Sequence, residues 1–582
     1  VKPPTVKIRD AIKDPTRNVL FREIKPTAKG TEIDKVIKGS NAIHGQYYFT
    51  LETLTCVTAP TEEGLAVYAT SQHLAAMQVM ISRALKLDVN RIDVHVRRVG
   101  GAYGIKVTRI IQTAVACSLV VQKLNIPCRM IHGIATNTRV WGKRFPCATN
   151  FEVGVNRKGV IQYSNYNLYE DNGYTINEKL SQLGVKSFSN AYNSSNWHYK
   201  CFDTITDTAK NTWFRSPGTF ENIAMAELLM EQIAYQTAQD PTDVRLANLD
   251  PNYPDLKEMF EDLKKNADYT TRRAAVNKFN ASNRWKKRGL RFVFLKWNHE
   301  YPRYFDVNIS VYQSDGTVAI SHGGVEIGQG INTKACQVAA YVLNIPLNKI
   351  IIKENNTIIC PNSAVTGGSQ TTQSIIIAVE KCCYSILERI EPVRKQMKNS
   401  TWEDVIKNCY DLNIDLQFHS FLGPDDFETY LVYGVTLAEV EIDVITGEHE
   451  ILRVDIMEDC GRSINPELDI GQVEGAFIMG RGYWTSEELV YDLNTGELLT
   501  DRTWNYYVPQ ALDIPQDFRV YLRKKSYTKD IIFGSKACSE PPICMSVVIP
   551  IAIREAIVSA RQEAGICSTE WFNIGNLVNL IC

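Results

Sequence analysis

At 582 residues the chain exceeds what one ordinary core holds, so two or more domains are expected. A hydrophobic content of 44%, a charged content of 22% and a formal net charge of −1 fit a soluble globular protein, with no electrostatic ground for a nucleic-acid or anionic-membrane partner. The N-terminus, "VKPPTVKIRD", is not a signal peptide and lacks an initiating methionine, so the sequence reads as part of a longer chain. No apolar run is read as a membrane span, because "MSVVIPIAIREAIVSA" is broken by Pro550 and interrupted by Arg554 and Glu555. The 15 cysteines include no CxxC pair, which argues against a zinc or iron–sulfur site and favours reduced thiols in a cytoplasmic protein.

In chain order, residues 43–70 read as short strands, residues 72–86 as an amphipathic helix and "IDVHVRRV" as an alternating strand. "GGAYG" then leads into a helix of small apolar residues, "TRIIQTAVACSLVVQKL". A similar order recurs with the strand "TVAISHGG", the helix "INTKACQVAAYVL", the strand "KIIIKE", the loop "TGGS" and the helix "TTQSIIIAVEKCCYSILERI". The connections "LKLDVNRIDV" at 85–94 and "LNIPLNKIII" at 343–352 match in their leucines, asparagines and isoleucines, which points to a pseudo-repeat of two related α+β subdomains. The boundary is placed in the polar stretch 250–290, giving subdomains 1–275 and 276–582. A hairpin is expected over 438–458, turning at Thr446-Gly447.

Five loops carry glycine or glutamine where strands end or helices open: "HGQ" at 44–46, "GGAYG" at 100–104, "GQG" at 328–330, "TGGS" at 366–369 and "GQVEG" at 471–475. Turns and packing explain any one of them, and none matches a P-loop or a dinucleotide fingerprint. Together they point to a large polar, phosphate-bearing ligand that spans both subdomains. No HExxH, GxSxG or paired-histidine pattern occurs, so a metal would arrive with that ligand. In "FGSKACSEPPICMSVVIPIAIREA", Pro541 biases Glu540 toward an extended conformation on a stiff corner before an apolar helix. The residues leave two readings of Glu540 open, an acid stabilised by a helix N-terminus or a carboxylate held to accept a proton.

"HGQYYFTLET", "RRVGGAYGIKVTR", "WFRSPGTFENIAMAE", "SHGGVEIGQGINTK", "NSAVTGGSQTTQ", "DIGQVEGAF" and "GSKACSEPP" occur in the order and spacing found in the xanthine dehydrogenase/aldehyde oxidase family of molybdenum hydroxylases, which the chain resembles over nearly its whole length. The stretch 501–520 looks like that of arthropod aldehyde oxidases. The resemblance implies two elongated mixed α/β subdomains with a molybdenum–molybdopterin cofactor between them. It also implies a homodimer in the full form, with FAD and two 2Fe-2S clusters on domains ahead of this region.

Residue by residue, the resemblance makes Glu540, in "SEPP" where the family has "GEPP", the catalytic base. It gives Gln46, Tyr103, Arg215 and Gly368 contacts at the molybdenum centre, and sets Gln329, Thr366, Ser369 and Gln472 around the pterin and its phosphate. Xanthine-oxidising members orient the purine with a glutamate and an arginine, and here those positions are Val107 and Leu183. Apolar walls leave a purine's carbonyls poorly paired, which favours an aldehyde or apolar heteroaromatic substrate over xanthine. Pro217 replaces an aromatic that would stack on substrate, Tyr301 is a candidate replacement wall, and Ile105 stands in place of a glycine and is expected to crowd the cofactor loop. The alternatives are a xanthine or other heterocycle dehydrogenase, and a non-catalytic relative retained as a binding or dimerisation module.

Overall fold

The computed structural model describes residues 2–574, apart from 179–180, 300–302, 398, 424–425, 526–531 and 567–568. Two stretches fold alike. In the first, strands Thr55–Pro60 and Leu65–Ala69 form a hairpin, and helix Leu74–Leu85 returns the chain so that Ile92–Val96 pairs parallel to Leu65–Ala69. Helix Ile105–Leu124 then brings Cys128–Ile131 antiparallel to Thr55–Pro60. In the second, Phe305–Val311, Val318–His322, helix Ile331–Leu343, Ile350–Ile352, helix Thr371–Gln396 and Gln417–Leu422 repeat that order and pairing. The matching connections fold identically, since Lys86 and Asn344 end their helices in the left-handed region and a 3-10 turn (Val89–Arg91 or Leu347–Lys349) leads into the parallel strand.

The units are joined directly. Asn355–Asn356 of the second adds an antiparallel strand beside Ile92–Val96 of the first, covering one edge of its sheet. The larger part of the molecule combines a five-stranded sheet (Asn18–Ile24, Trp197–Thr204, Ile161–Asp171, Cys147–Val155, Lys35–Ile43) with a four-stranded one (Lys286–Asn298, Leu431–Asp443, His449–Glu458, Asp517–Leu522). They share one core in which Val153, Tyr166 and Ile233 from early in the chain meet Phe292, Val435 and Ile553 from late in it. Helix Thr219–Thr237 is buried around almost its whole circumference, and its acids Glu221, Glu227 and Glu231 are matched by the buried Arg144 and Arg245.

Some local expectations change. The strand at 35–43 ends at Ile43, and residues 44–54 are irregular because Phe49 adopts a left-handed conformation and only Gln46 forms a bridge, to Arg144. The polar stretch after 250, where the boundary is placed, holds two helices, Asp255–Asn266 and Tyr269–Ser282. Among the described residues two helices do reach membrane-spanning length and apolarity, Ile105–Leu124 and Pro541–Glu563, and both are largely buried inside the protein. The second is interrupted at Ser546-Val547, four residues before Pro550, whose ring excludes the carbonyl one turn back.

Candidate functional site

The loops that open the helices of both units converge on one cavity of about 460 Å³, closed on its other sides by the start of helix Pro466–Thr485 and the segment 535–540. The sequence-predicted Tyr103, Val107, Leu183, Arg215, Pro217, Gln329, Thr366, Gly368, Ser369, Gln472 and Glu540 all line it. Gln46 does not. Its carboxamide lies buried behind the wall, donating to Met479 O and Glu487 Oε2 and accepting from Arg144 Nε at 3.2 Å. Tyr301 falls outside the described residues. Ile105 points into the core and does not crowd the cavity, because helix Ile105–Leu124 begins with that side chain inward.

Glu540 faces the cavity. Its backbone is helical (φ −96°, ψ −35°) and not extended as Pro541 suggested, because two tethers outweigh the pre-proline preference. Arg215 Nε donates to Ser539 O at 2.7 Å, and Ser216 N donates to Glu540 Oε1 at 3.2 Å. Ser216 donates from a left-handed conformation (φ 62°), and Tyr103 (φ 52°) and Ser369 (φ 53°), which line the cavity, adopt the same conformation. Such strain gathers where surrounding structure fixes a functional geometry. Burial pushes the Glu540 carboxyl above its ordinary range, while the Ser216 amide and the charges of Arg215, Arg303 and Arg144 pull it back.

Arg144 is the buttress that sequence reasoning missed. Its guanidinium lies between the Phe214 and Phe220 rings at 4.4 and 4.5 Å, pairs with Glu221 at 2.8 Å and donates to Arg215 O at 2.7 Å. Gln72 was missed as well. It accepts from Gly104 N and donates to Thr366 O, tying the loop of one unit to the loop of the other. Both are single polar residues without periodicity or a neighbouring motif, so nothing local in the sequence marks them.

The cavity suits a large polar ligand such as a molybdenum–pterin. A Cβ added at Gly328, Gly471 or Gly475 would meet no atom within 4 Å, so these backbones border open space. Ser369 Oγ and Gln373 Nε2, on the same wall, are buried without a partner among the described residues. The side chains of Gln329, Thr366 and Gln472 also bond within the protein. Gln329 bonds Ile327 N and Val325 O, Thr366 Oγ1 accepts from Val325 N, and Gln472 donates to Gly328 O, so they fix the loops whose backbones face the cavity. Among the described residues no group of three or more His, Cys, Asp or Glu side chains is placed to hold a metal directly.

Comparison with known proteins gives this geometry a family. Residues 13–249 and 262–515 each match a molybdopterin cofactor-binding domain. The chain is 34% identical to the xanthine dehydrogenase/oxidase of Gallus gallus over 98% of its own length, and 32% identical to a probable aldehyde oxidase 2 of Oryza sativa over 97%. It spans 44% of the length of each of these relatives. Among solved structures, its fold is similar to quinoline 2-oxidoreductase from Pseudomonas putida (TM-score 0.85, 18% identity, 96% of this chain and 79% of that one) and to the aldehyde oxidoreductase of Desulfovibrio desulfuricans (0.80, 20%, 96% and 64%). The protein is thus built from two molybdopterin cofactor-binding domains, and it belongs to the xanthine dehydrogenase/aldehyde oxidase family.

Proposed function

We propose that this chain is the substrate-oxidising region of a molybdenum-dependent hydroxylase that converts aldehydes to carboxylic acids, with Glu540 as general base. The observation that carries this reading is Glu540 itself, a carboxylate drawn out of bulk water onto the wall of a cavity bordered by glycine backbone, fixed by Ser216 N and backed by Arg215. When bound, the molybdenum–pterin cofactor supplies the two-electron acceptor, and water is the source of the incorporated oxygen. Gly328, Gly368, Gly471 and the Ser369 hydroxyl border the space that would hold it, and Tyr103 and Arg215 would contact it from the same cavity. Glu540 takes the proton from the attacking oxygen, and its partly raised pKa makes it a stronger base than a solvated glutamate. Val107, Leu183, Pro217 and Trp297 present an apolar wall that excludes water and receives an aldehyde's side chain.

In the full protein we place FAD and two 2Fe-2S clusters outside these residues as the electron exit, and assign a cytoplasmic homodimer. A second reading, heterocycle hydroxylation, has one observation in its favour: Arg303 brings to the cavity a cation that the motif positions lack.

The test is Glu540→Gln in the full-length enzyme. Turnover of aldehydes falls by about 10²-fold or more while molybdenum per chain stays near the wild-type value. Loss of the metal in that variant would give Glu540 a structural role and sink the assignment. In the wild type, the base must be ionised, so kcat/KM declines as pH drops through the raised Glu540 pKa.

A further inference from the structure

The ionisable lining of the cavity does not balance. Among the described residues the Lys, Arg, Asp and Glu side chains that line it are Arg215, Arg303, Lys334, Lys536 and Glu540. Lys334 is paired with Asp469 at 2.5 Å and Lys536 with Asp459 at 2.7 Å, both acids lying behind the wall. That leaves two arginines facing one glutamate. Arg215 engages Nε with Ser539 O and Nη2 with Gln472 O and Oε1, and so is held by both its inner and one outer edge. Arg303 has only Nη1 engaged, by Val365 O at 2.9 Å and Gly367 O at 3.1 Å. No carboxylate of the described residues lies within 4.0 Å of it, and Nε and Nη2 hold no partner among them.

Position adds to the imbalance. The two carbonyls fix the guanidinium plane against the "TGGS" loop, with Nη2 3.1 Å from where a Cβ on Gly368 would stand. Arg303 is near enough to Glu540 for each to shift the other's titration, and burial lowers the Arg303 pKa. A guanidinium with two free edges in a cavity walled by Val107, Leu183, Pro217 and Trp297 is costly to cover with an apolar molecule, because its donors would be left unpaired.

Resting on the aldehyde reading above, we propose that Arg303 is the substrate anchor, and that the preferred substrate is an aldehyde bearing a carboxylate at the end remote from the reacting carbon. Arg303 Nε and Nη2 form the paired edge that receives the carboxylate. Arg303 lies outside the seven quoted motifs, so specificity has moved to another wall of the pocket.

Two measurements on the full-length, molybdenum-loaded enzyme test this. The first needs no turnover: benzoate and benzamide, alike in shape, are titrated against the fluorescence of Trp213 and Trp297, which line the cavity. Benzoate binds about 10- to 100-fold tighter than benzamide, and Arg303→Leu removes the difference while Arg303→Lys keeps part of it. Equal binding of the two by the wild type overturns the anchor, as does an unchanged ratio in Arg303→Leu of normal metal content. A fall in molybdenum content in Arg303→Leu, with no benzoate preference in the wild type, would mean that the cofactor's own anion occupies Arg303, and would also overturn it. The second measurement is the kcat/KM ratio of para-formylbenzoate to benzaldehyde, about tenfold or more in the wild type and near one in Arg303→Leu. Benzoate discrimination without turnover of either aldehyde would sink the aldehyde reading and leave the anion site standing.

Discussion

The two α/β units have the same strand order and the same connections, yet they meet the cavity with different chemistry. The first unit offers a packed wall. In "GGAYG", Gly104 sits against protein, since a Cβ there would lie 2.3 Å from Trp213 O, and Tyr103 and Val107 face the ligand space. The second offers an open cradle. Among the described residues Gly367 has only Arg303 Nη1 nearby, 3.8 Å from where its Cβ would stand, and Gly328 has no neighbour within 4 Å. One fold used twice thus separates two tasks, excluding water on one side and letting a ligand approach backbone on the other.

The contrast can be broken most directly at its glycines. Gly104→Val places a branched side chain at φ 119° against the Trp213 carbonyl and should cost about 3 kcal/mol or more in denaturant unfolding, while Gly367→Ala should leave stability unchanged. Equal losses in the two variants would remove the distinction between wall and cradle. Next in size, Gln72→Ala leaves Gly104 N and Thr366 O without their partner between the units and should cost about 2 kcal/mol, against about 1 kcal/mol for Gln329→Ala, whose bonds stay within one loop.

A pH measurement sharpens the picture of the second unit. Burial pushes the His322 imidazole down to about 4, so the folded protein keeps it neutral while the unfolded chain protonates it below 6.5. Its share of stability is present above pH 6.5 and is lost as pH falls toward 4, by up to about 1.4 kcal/mol per pH unit. His322→Gln should flatten that part of the stability–pH curve, and an unchanged slope would refute the assignment. The smallest effect has the opposite sign. Gly471→Ala, inside a helix and clear of other atoms, should stabilise the fold by roughly 0.5–1 kcal/mol while intruding on the ligand space and reducing molybdenum content.

Much of this is legible in the sequence. The apolar periodicity placed helix Ile331–Leu343 to the residue, and the matching "LKLDVNRIDV" and "LNIPLNKIII" connections announced the doubled unit because both need the same left-handed helix end and short 3-10 turn. Motif order brought eleven of the named residues to one cavity, since glycine loops at helix openings have few other places to converge. What stayed hidden depends on long-range tethers. Glu540 is helical because Arg215 and Ser216, more than three hundred residues earlier, hold it there. Gln46 turns away from the cavity because Arg144 and Glu487 claim its amide, and Arg303 matters only because its neighbours fail to neutralise it.

The short strand Asn355–Asn356 has a consequence for how the protein is made. The first unit's sheet is covered at one edge only when that pair docks beside Val96 and His95. On a ribosome adding about 5–20 residues per second, the roughly 260 residues in between take on the order of 10–50 s to emerge. During that interval the nascent first unit carries an open strand edge able to pair with a neighbouring nascent copy. A chaperone that engages extended backbone would find that edge during this interval.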